Sequence, residues 1–156
     1  MFENIRNNLR RRKARKELER LKSTTVSQIM TKYLITVKPN DDVIKAATKM
    51  IAEDISCLVV TDADILYGVL SERDFLKKVP LSQKVFDMKV KDIMRDNPVT
   101  CQPNTTLEQA AKMMIQNNVR RLIVAKEKTP IGIVTQTDFT KAANTVSCYP
   151  DTPELS

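Results

Sequence analysis

The chain is 156 residues long, 42% hydrophobic and 29% charged, enough for one domain or two small associated ones, because a unit near 60 residues buries only about 60% of its chain surface. Histidine is absent, and Cys57, Cys101 and Cys148 are scattered without a C-x-x-C pair, which excludes a Ser-His or Cys-His nucleophile and argues against a metal site or a disulfide framework. Of the formal charge of +7, nine Lys/Arg against three Glu in residues 1–22 supply +6 and leave +1 for the rest, so a basic extension precedes a nearly neutral body.

No apolar run approaches the roughly 18 residues that span a bilayer, and the charged N-terminus does not read as a secretory signal. A cytoplasmic, non-enzymatic protein without metal or cofactor is therefore expected. Residues 1–23 predict a basic helix, since they lack Gly and Pro and are rich in Arg, Lys, Glu and Leu. Its apolar residues Ile5, Leu9, Leu18 and Leu21 are interrupted by the run from Arg10 to Lys16, which speaks against a long coiled coil. Three partners remain open for it: another part of a dimer or of the same chain, nucleic-acid phosphate, or an anionic membrane. The scarcity of aromatic residues argues against single-strand recognition by base stacking.

The body is a repeat. At an offset of 64, Val26 to Lys77 aligns without a gap on Val90 to Lys141, and sixteen of 52 positions are identical, about 31%. The only two glycines of the chain, Gly68 and Gly132, form one of those pairs. Each copy opens with a short helical turn, V-x-x-I-M, followed by an extended segment, Ile35-Thr36-Val37 or Val99-Thr100-Cys101. Asn40 and Asn104 are then candidate caps for a helix with Asp41 and Asp42, or Thr105, Thr106 and Glu108, in its first turn. Apolar residues at helical spacing follow, Val43, Ala46, Ala47, Met50, Ile51 and Leu107, Ala110, Ala111, Met114, Ile115, and predict a buried face.

Two strands come next, Ile55–Val60 with Tyr67–Leu70 and Val119–Val124 with Ile131–Val134, joined by turns at Asp62–Asp64 and Lys126–Pro130. A last helix starts at Ser71 or Thr135. The expected architecture is α/β (α+β): two β-α-β-β-α repeats, residues 24–82 and 83–146, packed face to face after the basic helix and followed by a disordered tail, 147–156. Neither copy is large enough to bury both faces of its own sheet and helices, so a groove is expected at the seam.

These residues resemble the CBS domain, a family whose members usually carry the domain as a tandem pair called a Bateman module. The resemblance covers about residues 24 to 144 and rests on V-x-x-I-M, on the extended segment ending in x-P-N, and on two copies of G-h-h-[ST]-x-x-[DN], where h is apolar: Gly68-Val69-Leu70-Ser71-Glu72-Arg73-Asp74 and Gly132-Ile133-Val134-Thr135-Gln136-Thr137-Asp138. It implies a regulatory module that binds an adenosine-containing nucleotide, of the AMP, ADP, ATP or S-adenosylmethionine type, in the cleft between repeats. It further implies Asp74 and Asp138 as ribose acceptors, Ser71 and Thr135 as hydroxyl donors, Thr36-Val37 and Thr100-Cys101 as adenine walls, and a homodimer.

Other readings of the same residues stay open. [ST]-x-x-[DE] is also the pattern of a helix capping box, in which Ser71 with Asp74 and Thr135 with Asp138 serve only their own helix. Arg120-Arg121 stands where the first copy has Ser56-Cys57. In the family a basic residue at this position often contacts phosphate, and strand alternation would send only one of the two Arg side chains to the cleft; the alternative is a solvated pair. At the level of function, the alternatives are a nucleic-acid-binding regulator that uses the basic helix and dimerises through the repeats, and a scaffold without ligand.

Overall fold

The computed structural model describes residues 2–79 and 84–144, so the tail expected to be disordered lies outside the described residues. Helix α1, Phe2–Ser23, forms as its composition predicts. The first repeat then supplies α2 (Val26–Ile29), β1 (Thr36–Val37), α3 (Val43–Ala52), β2 (Cys57–Asp62), β3 (Ile65–Ser71) and α4 (Glu72–Lys78). After a 3-10 turn at Val85–Asp87, the second supplies α5 (Val90–Ile93), β4 (Arg95–Asp96), β5 (Thr100–Cys101), α6 (Leu107–Gln116), β6 (Arg121–Lys126), β7 (Thr129–Thr135) and α7 (Gln136–Asn144). The β-α-β-β-α order therefore recurs as expected, and α1 lies against α6 with Ile5 and Leu9 exposed.

Helix entry differs from the expected caps. Asn40 and Asn104 lie exposed in the preceding turns, and the caps are Asp42 and Thr106. Thr106 and Gln109 satisfy each other's backbone, with Gln109 N donating to Thr106 Oγ1 at 3.2 Å and Thr106 N to Gln109 Oε1 at 3.0 Å. Asp42 spends its carboxylate on Lys89 Nζ at 2.6 Å instead. In α3 and α6 the buried stripe is Val43, Ala46, Met50 and Leu107, Ala110, Met114. Ile51 and Ile115, expected on that stripe, are 81% and 78% exposed, because each lies about 100° around the helix from the buried methionine before it.

In the first sheet β1 runs parallel to β2, β2 pairs antiparallel with β3, and β3 with β4; the second sheet is β5-β6-β7. The hairpin turns are tighter than expected in the second copy, where Thr129 and Pro130 already belong to β7. Alternation along the strands sorts three cores. Leu58, Val60 and Leu70 face α3, and Leu122, Val124 and Val134 face α6. Val59 and Val69 meet Ile123 between the two sheets, which pack face to face.

The short opening helices are exchanged. Val26 of α2 is packed in the core of the second repeat with Leu107 and Leu122, and Val90 and Ile93 of α5 in the core of the first with Val43 and Leu58. Backbone bonds fix the exchange: Val26 N donates to Thr105 O at 2.8 Å, and Val90 N to Asp41 O at 2.9 Å. Thr31 and Ile133 exchange a pair of bonds at 2.9 and 3.0 Å, while β4 adds Arg95 and Asp96 to the edge of the first sheet. Each core is thus completed by a segment that precedes the other repeat's first strand.

Candidate ligand crevice between the repeats

The end of β3 and the start of α4 bring Ser71, Glu72 and Arg73 to one wall of a crevice of about 760 Å³. The opposite wall comes from the second repeat: Met114, Ile115, Asn118 and Val119 at the end of α6, then Arg120, Arg121 and Ile123. Arg95 to Val99, the exchanged segment and the chain that follows it, close a third side. The crevice is therefore built from both copies and exists in neither alone.

Ser71 and Asp74 form the polar hinge of the first motif. Ser71 N donates to Asp74 Oδ2 at 2.8 Å and Ser71 Oγ donates to the same oxygen at 2.5 Å. Both residues are buried. The second motif repeats this geometry: Thr135 N and Thr135 Oγ1 donate to Asp138 Oδ2 at 2.7 and 2.8 Å, in a half-buried setting. The first motif forms a capping box, the second repeats the bonds from its Thr135 to the Asp138 carboxylate, and neither set uses Oδ1 of the carboxylate. Asp74 Oδ1 meets Arg95 Nε at 3.3 Å.

The sequence-derived candidates separate into three groups. Ser71, Arg120 and Arg121 line the crevice, and Asp74 stands behind Arg95 at its edge. Both arginines reach it because the strand begins only at Arg121, so the alternation expected to turn one of them away does not apply to Arg120. Thr135 and Asp138 make the equivalent pair in the other motif and are not among the residues lining this crevice. Val37 and Cys101 turn into the two helix-facing cores, while Thr36 is half-buried and Thr100 exposed. Pro98 and Val99, immediately before β5, supply the apolar wall instead.

Two features escape sequence reasoning. Arg95 follows V-x-x-I-M as one more cation, and only the pairing of β4 with β3 carries it to Asp74. Arg121 also faces Cys57 of the other repeat: burial raises the Cys57 thiol above its ordinary value and the Arg121 cation opposes that rise. Burial pushes the Cys101 thiol up to about 11, which keeps it protonated and inert at neutral pH. Among the described residues no group of His, Cys, Asp and Glu is arranged to hold a metal ion, and no helix is long and apolar enough to cross a membrane.

Comparison with known proteins identifies the repeated unit. The family model described as "CBS domain" matches residues 26–81 and again 90–145. The CBS domain-containing protein YhcV of Bacillus subtilis is 29% identical over 116 residues, covering 74% of this chain and 83% of that protein. Among solved structures, the CBS domain protein NE2398 shares 32% identity with a TM-score of 0.72 over 77% of this chain and 98% of its own. The structure of CBSX2 in complex with AMP shares 30% identity with a TM-score of 0.70, over 80% and 98% of the two chains.

Proposed function

The chain belongs to the CBS-domain family, and from that premise we propose that it is a non-enzymatic regulatory module that binds a phosphorylated adenosine ligand between its repeats. The observation that carries the proposal is the meeting of Ser71 from one repeat with Arg120 and Arg121 from the other around one crevice, with Asp74 bonded to Ser71 and paired with Arg95 just behind its wall. A carboxylate offers about four lone-pair directions. Asp74 uses two on Ser71 and one on Arg95, which leaves capacity for a ribose hydroxyl. Pro98 and Val99 give an adenine ring an apolar wall, and the guanidinium forks match phosphate oxygens. The AMP complex of CBSX2, a structure 30% identical to this chain, supports the ligand class.

Ligand contacts on both walls would change the relative position of the repeats, provided that affinity differs between the two arrangements. A homodimer belongs to the same reading. Calorimetry of the full chain with AMP, ATP and S-adenosylmethionine tests it. Binding of AMP or ATP, weakened about tenfold or more by Asp74→Ala or by Arg120→Ala with Arg121→Ala, is the expected result. No heat from any of the three ligands would overturn the proposal.

A further inference from the structure

The two motifs repeat closely in backbone and hydrogen bonding, yet their surroundings carry different charge. Asp74 is buried and ion-paired with Arg95, a residue of β4 held against β3 at Val69. The position equivalent to Arg95 in the other copy is Thr31, and the positions equivalent to Arg120 and Arg121 are Ser56 and Cys57. Four arginines, Arg73, Arg95, Arg120 and Arg121, therefore line one crevice beside Glu72 and Asp96, while the places equivalent to those four in the other copy, Thr137, Thr31, Ser56 and Cys57, carry no charge.

We propose that Arg95 is the charge-selectivity residue of this crevice, one that masks the Asp74 carboxylate and presents its remaining N–H edge to the phosphate of an anionic ligand. The inference rests on the nucleotide reading above and goes further by assigning the discrimination between phosphorylated and unphosphorylated ligands to one residue. Electrostatics favours such a device. An unmasked Asp74 would repel phosphate from the crevice where its ribose is to be held. Arg95 meets Asp74 through Nε and lines the cavity, so its two terminal nitrogens stay outside that ion pair and can donate to a ligand. Backbone pairing of β4 fixes the Cα from which this side chain reaches, and the ion pair with Asp74 directs its fork toward the crevice edge. Arg120 and Arg121 supply cations from the facing wall and Arg73 one from the near wall, but among the described residues only Arg95 of the four is ion-paired with a carboxylate, so masking falls to it.

The test is calorimetry of the full chain with adenosine, AMP and ATP for the native protein, Arg95→Thr and Arg95→Lys, with circular dichroism to verify that each is folded. Thr is the residue that the other repeat already carries at this place. Arg95→Thr is expected to weaken ATP about tenfold or more while adenosine holds or improves, so that the preference for phosphate collapses. Arg95→Lys, which keeps the charge, should retain most of that preference. Equal weakening of adenosine and ATP, or an unchanged preference in Arg95→Thr, overturns this inference and leaves the nucleotide proposal standing. Failure of the native protein to bind any of the three overturns both.

Discussion

A methyl group added at Gly68 would lie 2.6 Å from the carbonyl oxygen of Arg95 and 3.1 Å from Met94 Sδ. At Gly132 the nearest atoms are Met30 Sδ at 2.5 Å and Met30 Cγ at 3.0 Å, with the Thr31 carbonyl oxygen at 3.1 Å. Neither glycine has a positive φ, so close approach of the exchanged segment, and not turn geometry, explains both. The obstacles differ in stiffness. The Arg95 carbonyl belongs to a backbone tied into the first sheet, whereas a methionine side chain can rotate away. Gly68→Ala should therefore cost about 1–3 kcal/mol and Gly132→Ala distinctly less, as read from denaturant midpoints; equal or reversed costs would contradict the account. The glycine pair is legible in the sequence as a mark of duplication, but its purpose is not, because the segment crossing each glycine belongs to the start of the other copy. Arg95 is hidden for the same reason, and Asn40 misleads as a cap because Asp41 and Asp42 compete for the same role two residues from the helix.

Four-residue helices have too little surface to fold on their own and take their stability from what they pack on. Val26 and Val90 are both fully buried, at 0% exposure, in cores of the opposite repeat. The exchange is reinforced on the surface, where Lys89 bonds Asp42 and an antiparallel bridge joins Thr25 to Thr106. The periodicity of α3, α6 and the strands is legible because each long element buries a stripe of its own residues. The partner of V-x-x-I-M is not legible, since a motif identical in both copies fits either core. Val26→Ala should loosen β6 and β7, and Val90→Ala should loosen β2 and β3, each at about 1–3 kcal/mol. Amide hydrogen exchange resolves the two outcomes. Faster exchange in the repeat that carries the substitution, with the other unaffected, would refute the crossed assignment.

At the scale of the whole molecule, the repeats leave an unusual surface. Ile51 and Ile115 occupy the same place at the ends of α3 and α6, are identical in the duplication, and are about four-fifths exposed, Ile115 also bordering the crevice; Leu76 on α4 is exposed as well. An isolated apolar residue on a surface needs no explanation. The same large apolar residue exposed at both positions of a duplicated unit is different, because a partner with matching pseudo-symmetry can cover both at once, and a second copy of this chain is such a partner. Light scattering after gel filtration should give a particle of twice 17.8 kDa. Ile51→Asp combined with Ile115→Asp should return it to a monomer, and because both side chains lie outside the three cores, each change should cost no more than about 0.5 kcal/mol within the monomer. A native protein that is monomeric throughout the micromolar range, or a double variant that stays dimeric, would show that these isoleucines are not the contact between copies.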